Sequence, residues 1–397
     1  GQPAWLQIQA QYRIQLLITI DQLANNMCGG GQTDVIVLDF SKAFDKVDHR
    51  RLLYKIKWYG ITGNTWKWIQ AFLSNRKQCV VVDGISSSEA NVLSGVPQGT
   101  VLGPALFLLY INDLVDGIDS EVRLFADDAI LMRNIVSPID CDTLQNDLNK
   151  LVKWEQVWKM IFNVDKCHVL QVTRKKKALP YQYSMNNQIL DRKDSATYLG
   201  VEISSDLRWN NHINKITNKA NKTLGFLRRN LKRCPKKAKE TAYLTMVRPT
   251  LEYASPAWSP STNTNIQQVE AVQRRAARFV CNRYRNQSSP SDMILDLEWK
   301  SLARRRDEAK LVTFYKILNG RININCENII IWDSNVSGTR RPNSLQIRKL
   351  GVFQPKYYTS SFFPDSIILW NQLPNFVVHQ RSVPTFKAAL FKLDKVR

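Results

Sequence analysis

The feature that most restricts the fold is a pair of adjacent carboxylates, Asp127 and Asp128, inside the apolar run LFADDAIL at residues 124–131. The flanking segments EVRLFA and AILMR carry strand-type residues and read as two strands joined by a two-residue Asp-Asp turn. Two acids placed side by side in such a run repel each other, and burying them without a partner costs several kcal/mol. The hairpin therefore calls for a cation.

Charge points to what else the chain meets. It has 56 Lys and Arg against 34 Asp and Glu over 397 residues, a formal net charge of +22. Clustered cations gain by displacing counterions from a phosphate backbone, so nucleic acid is favoured over an anionic membrane. The apolar segment VLGPALFLLYI at 101–111 is interrupted by Pro104 and is far shorter than the ~20 residues that span a bilayer, so no membrane partner is expected. The first residues lack a basic-then-apolar signal pattern. Seven cysteines form no C-x-x-C pair, which suggests reduced thiols and no zinc.

Up to about residue 205 strand-like and helical patterns alternate, which implies an α+β fold: a sheet with helices on one side. DVIVLDF at 34–40 reads as a strand buried on both faces, followed by helices near 49–60 and 64–75, and a long helix spans about 139–160. Further strands are expected near 167–173, 181–185 and 195–203. Beyond residue 206 the character changes. From His212 to Arg248 there are 11 Lys or Arg against the single acid Glu240. Ile213, Ile216, Ala220, Leu224, Leu227 and Leu231 recur at helical spacing, and at ~100° per residue Lys215, Lys219, Lys222 and Arg229 share a flank away from that stripe. Such a flank is either a solvated face or a backbone-binding one; the single sign of the charge favours binding. More helices are expected over 266–281 and 300–318, with Arg274, Arg275, Arg278, Arg283 and Arg285 near the first.

Three segments carry the chemistry. LDFSKAFDKVDH puts Asp39 at the end of a buried strand, where a carboxylate is anomalous unless it binds something. LSGVPQGTVLGP sets Gly95, Pro97, Gln98 and Gly99 just before a helix, a turn that lets backbone approach a ligand closely. The third is the hairpin with Asp127 and Asp128. Two acids on a hairpin and one at a neighbouring strand end can hold two divalent ions for in-line phosphoryl transfer. Magnesium suits oxygen ligands of this kind, with manganese as a substitute.

VIVLDFSKAFDKVDHRRLLYKIKWYGI, LSGVPQGTVLGPALFLLYINDL and VRLFADDAIL together resemble the consecutive core motifs of reverse transcriptases, those of non-LTR (LINE-like, jockey-related) retrotransposons. The likeness continues through FNVDKCHVL, YLGVEISSDLRW, MVRPTLEYASPAW and FFPDSIILWNQLP, over about residues 14–390. It implies a right-hand polymerase: a remnant of the fingers at 1–33, a palm at 34–206 built on an antiparallel sheet with helices on one face, a basic helical thumb at 207–262 and a mostly helical C-terminal region of unknown role at 263–397. It implies an RNA-directed DNA polymerase working on an RNA template, a DNA primer and deoxynucleoside triphosphates, with the element RNA as partner, in the nucleus or cytoplasm. The alternative is a non-catalytic RNA- or DNA-binding remnant or a domesticated protein.

By the same resemblance Asp39 and Asp127 are the principal metal ligands, the carbonyl of Phe40 assists, and Asp128 completes the acidic pair. Phe44 packs against the sugar of the incoming nucleotide; read by itself, without the motif, it is a core phenylalanine. Gln98 and Gly99 border the nascent base pair and template. Lys166 assists the pyrophosphate leaving group, its plain alternative being a solvated turn lysine. Tyr198, Leu199 and Gly200 begin the primer grip, and Lys215, Lys219, Lys222 and Arg229 contact nucleic acid from the thumb. Asp45 and Asp48 are expected to be supporting residues. The resemblance also implies an endonuclease domain and most of the fingers, which the sequence does not display, so the chain reads as a partial one.

Overall fold

The computed structural model describes residues 4–284, 289–324, 326, 329–332, 345–347 and 355–396. Arg285 lies outside them. The chain forms two compact units, one made of Gly30–Ala196 and the other of Gly1–Gly29 with Thr197–Arg397.

The Gly30–Ala196 unit is built on a five-stranded sheet. Its strands are β1 (Gln32–Asp39), β2 (Glu121–Phe125), β3 (Asp128–Asn134), β4 (His168–Thr173) and β5 (Asp191–Lys193), in the spatial order β5-β4-β1-β3-β2. The alternation of strand side chains sends Ile36, Leu38, Ala129, Leu131 and Val169 into one core. There they meet Leu52 and Ile56 of the His49–Trp58 helix, Phe107 and Tyr110 of Leu102–Ile111, and Leu144, Leu148 and Leu151 of Pro138–Trp158. Val35, Ile130, Met132, Leu170 and Val172 on the other face are buried too, as expected for a strand covered on both sides.

One expectation needs correcting: the sheet is not wholly antiparallel, because β5 runs parallel to β4. The connection from Thr173 to Asp191 is long enough to carry the chain back in the same direction, which a tight hairpin cannot do. The segment before the Leu102–Ile111 helix holds two short exposed hairpins, Lys77–Gln78 with Ala90–Asn91 and Val81–Val82 with Ile85–Ser86.

The sequence gives no warning of the setting of Lys55. It is buried, and its ammonium donates to the Tyr110 carbonyl and to Asp113 while lying 3.7 Å from the centroid of the Trp158 ring. Burial pulls its pKa down to about 8 against the opposing pull of Asp113.

Among its described residues the other unit is mainly helical, with a hairpin that includes Val201–Ser204 and an isolated β-bridge between Trp332 and Ile347. In the Asn210–Asn230 helix, Ile213, Ile216, Ala220, Leu224 and Leu227 are buried, while Lys215, Lys219, Lys222 and Arg229 are exposed. The two faces foreseen from helical spacing are therefore present. Further helices include Lys236–Ala242, Asn263–Cys281, Leu302–Leu318 and Phe362–Asn371. None of the helices among the described residues is long and apolar enough to cross a membrane.

Candidate active site

Strand β1 delivers Asp39 as its last residue, paired directly with Asp128, the first residue of β3. Opposed residues of antiparallel strands project from the same face, so these carboxylates are neighbours. The β2–β3 turn is Ala126–Asp127 rather than Asp127–Asp128, because Phe125 already pairs with Asp128. Ala126 takes a left-handed φ of 50°, a strained choice for a residue with a Cβ. That conformation closes the turn one residue early, so Asp127 sits at the tip and Asp128 within the ladder.

The acids feel one another. Partial desolvation and then the charges of Asp127 and Asp39 raise the pKa of Asp128. Asp39 Oδ2 is enclosed and has no hydrogen-bond donor, although Lys166 Nζ lies 3.1 Å away. The two observations agree if Lys166 is close but poorly directed, and its side chain is largely solvent-exposed. It is a nearby positive charge more than a fixed donor.

Asp39 is held from the side by the turn that precedes β4. The Phe162 ring stacks on Phe40 with centroids 4.3 Å apart, and the amide of Asn163 donates to the Asp39 carbonyl at 2.7 Å. The Asp39 amide donates to the buried sulfur of Cys167 at 3.4 Å. Burial pushes that thiol up to about 11, which makes Cys167 an inert packing group. Asn163 and Cys167 thus hold the Asp39 backbone from the segment FNVDKCHVL.

The turn around Gln98 is fastened to the loop after Asp39. Gly95 N donates to Val47 O at 2.8 Å, Val96 N to Phe44 O at 2.8 Å, and the His49 ring donates to Gly95 O at 2.7 Å. Gly95 has φ +87°, and a Cβ there would stand 2.8 Å from the Asp45 carbonyl oxygen. Gln98 Nε2 donates to Asp45 Oδ1 at 3.0 Å, and Asp48 caps the His49–Trp58 helix by accepting from Arg51 N. Gln98 and Gly99 are exposed. Phe44 is half-buried, stacked on Phe107 with centroids 4.3 Å apart, so one face packs on the core.

In the helical unit, Leu199 and Gly200 both have positive φ, 45° and 78°, and so form a tight two-residue turn. Tyr198 and Leu199 are buried while Gly200 is exposed, and Tyr253 donates to the Leu199 carbonyl at 3.0 Å. Lys215 is occupied by Glu202 at 3.2 Å and by Thr197 at 3.0 Å. Lys219, Lys222 and Arg229 make no ion pair among the described residues.

Among the described residues no three or more His, Cys, Asp or Glu side chains converge into a ready-made metal cage. Two facing carboxylates, one with an enclosed oxygen lacking a donor, fit an ion that takes only part of its shell from protein. Magnesium is usually held this way, by one or two carboxylates together with substrate phosphates.

Residues 7–203 match the family described as reverse transcriptase (RNA-dependent DNA polymerase), and this stretch, which contains Asp39, Asp127 and Asp128, belongs to it. The family uses divalent metals. Among curated proteins the chain is similar to "Probable RNA-directed DNA polymerase from transposon X-element" of Drosophila melanogaster, 26% identical over 67% of this chain and 30% of that protein. It is also similar to "RNA-directed DNA polymerase from mobile element jockey" of Drosophila funebris, 29% identical over 61% of this chain and 28% of that one. The chain thus spans about 30% of the length of these relatives. A solved structure, telomerase from Candida albicans with a TWJ fragment of telomeric RNA, aligns at 10% identity over 80% of this chain and 50% of that one. Its TM-score is 0.34, too low to support an argument about fold.

Proposed function

We propose that this chain performs RNA-directed DNA synthesis, joining deoxynucleoside triphosphates to the 3′-hydroxyl of a DNA primer paired with an RNA template, the RNA of its own element included. The observation that carries this reading is the facing of Asp39 and Asp128 on neighbouring central strands with Asp127 at the adjoining tip. Two magnesium ions, or manganese in their place, are to be held by Asp39, Asp127, Asp128 and the Phe40 carbonyl. When bound they supply charge neutralisation at the attacking and leaving oxygens.

The chain's own residues do the rest. Phe44, backed by Phe107, presents its free face to the sugar. Gln98, anchored by Asp45, and Gly99 border the new base pair. Lys166 brings a cation to the pyrophosphate side of Asp39. The 198–200 turn offers backbone to the primer end, since two of its side chains are buried. Lys219, Lys222 and Arg229, with Lys215 restrained by Glu202, meet the phosphates of the RNA–DNA hybrid, which is read by shape. In this reading residues 1–33 are the end of the fingers, 34–206 the palm and 207–262 the thumb, and the site of action is intracellular, nuclear or cytoplasmic.

Primer extension on an RNA template tests it. Extension that needs Mg²⁺ or Mn²⁺ and disappears in Asp127→Ala and Asp39→Ala is the expected result. Activity that survives either substitution overturns the catalytic assignment. Binding of the hybrid without any extension favours the non-catalytic reading, which the net charge of +22 also supports.

A further inference from the structure

Beyond the exposed flank of the Asn210–Asn230 helix, the helical unit has a cleft of which the polymerase reading uses only Arg229. It is about 410 Å³, within the range of ligand-sized clefts, and is lined by Gly225, Arg228, Arg229, Lys232, Lys239, Phe279, Asn282 and Tyr284. Four of these are cations and none is an acid. Lys239 is the informative one. It is only 5% exposed and has no ion-pair partner among the described residues, its ammonium lying 5.6 Å from the Phe279 ring centroid. The adjacent Glu240 is turned to Lys237 and to the Trp299 indole instead. With no acid in its lining, the cleft keeps a positive field that an anionic ligand would neutralise.

One aromatic group makes the cleft more than a phosphate site. Arg228 lies 5.4 Å from the Tyr284 ring centroid, and Tyr284 is 51% exposed. An exposed aromatic face beside a row of cations is the arrangement that takes an unpaired base together with its phosphates. A base within a duplex is stacked on its neighbours and cannot enter such a cleft. We infer that this cleft binds a single-stranded segment of nucleic acid, with a base on Tyr284 and phosphates on Arg228, Lys232 and Lys239. Arg229 stands between this cleft and the hybrid-binding flank, so strand and hybrid are held on continuous surface.

Fluorescence anisotropy on the full chain tests the assignment, using an oligouridylate of about eight nucleotides and a blunt RNA–DNA hybrid. Tyr284→Ala is expected to weaken oligouridylate binding by about tenfold or more through lost stacking. Lys239→Met keeps the apolar stem and is expected to reduce the logarithmic salt dependence for the single strand by about 0.7. Its melting temperature should match or exceed that of the parent, because the charge removed has no partner; a merely structural lysine would melt lower. Both variants should leave hybrid affinity unchanged. Equal losses for hybrid and single strand, or no loss for either, overturn the inference. Sodium tripolyphosphate competing as well as the oligonucleotide, with Tyr284→Ala silent, makes the cleft a plain anion site and also overturns it. Loss of extension in Asp127→Ala leaves it standing.

Discussion

Gly103→Ala separates the position of the Gln98 turn from the stability of the fold. Gly103 is the second residue of the Leu102–Ile111 helix and is buried. A Cβ there would lie 2.1 Å from the Pro97 carbonyl oxygen and 3.2 Å from Thr100 Oγ1. Thr100 ties the two together, donating to Pro97 O at 2.8 Å and accepting from Gly103 N at 3.0 Å. Backbone at 2.1 Å cannot yield as a flexible side chain would, so Pro97, and Gln98 after it, must retreat by about 1 Å to reach an ordinary packing distance.

Overpacking of this kind costs about 1–3 kcal/mol. Alanine offsets roughly 0.5–1 kcal/mol of that by its better helix propensity. The net destabilisation is therefore about 0–2.5 kcal/mol, which leaves the unit folded. A displacement of about 1 Å beside a reacting centre costs on the order of 100-fold in rate. Urea unfolding should accordingly show a loss of no more than about 2.5 kcal/mol while single-nucleotide extension, read as kcat/KM, falls by about two orders of magnitude. Extension at the parent rate with parent stability would refute both the close approach of Pro97 and the placing of Gln98 at the reaction. A loss of stability above ~4 kcal/mol would mean that the core, and not the loop, takes up the clash.

Three further outcomes are expected. Asp128→Asn removes a carboxyl whose pKa is raised by desolvation and by Asp127 and Asp39, so folding binds protons there and stability falls as pH rises above the ordinary carboxylate range. The variant should be more stable than the parent to urea at pH 7 in EDTA yet fail in extension; equal or lower stability contradicts the electrostatic account. Lys55 has its pKa lowered to about 8, so between there and its unfolded value unfolding takes up a proton, and stability rises with pH by at most roughly 1.4 kcal/mol per unit. Lys55→Met should flatten that rise in unfolding curves taken from pH 7.5 to 9.5, and an unchanged slope rejects it. Iodoacetamide should modify exposed Cys79 first and spare buried Cys167, whose thiol is pushed up to about 11; early labelling of Cys167 contradicts its enclosure beside Asp39.

What was legible in the sequence follows from which forces are local. The continuous apolar run in DVIVLDF and the helical spacing from Ile213 to Leu231 are set by burial, and both reappear as mainly buried residues, with Leu231 at the helix end only partly covered. The two-residue turn was misplaced by one position because Asp-Asp looks like turn chemistry, whereas the register of β1 with β3 draws Asp128 into the ladder and strains Ala126 instead. The parallel β5 was hidden because strand direction depends on a long connection, not on the three residues DRK. Lys55 offered no local signal at all: its cage comes from Tyr110, Asp113, Trp154 and Trp158, all at least 55 residues away in sequence. Lys215 looked like its neighbours on the helix flank until Glu202, outside the helix, proved to hold it.

Several departures from local rules lie close to Asp39. A non-glycine residue in left-handed conformation, an acid pair facing across two strands, a carboxylate oxygen without a donor and a glycine too close to backbone for any side chain all lie within the motifs around Asp39. Each lowers the stability of the free protein, and chains retain such features mainly where a ligand needs them. The cations tell the same story from the other side. Lys166 approaches Asp39 without satisfying its enclosed oxygen, so the site is compensated enough to fold and not enough to be neutral. In the proposed reading a divalent ion arriving with triphosphate would meet carboxylates already gathered by the fold, and the binding free energy would include the repulsion it relieves. On this account Mg²⁺ should stabilise the parent more than it stabilises Asp128→Asn, because the substitution has removed part of what the ion would otherwise repair.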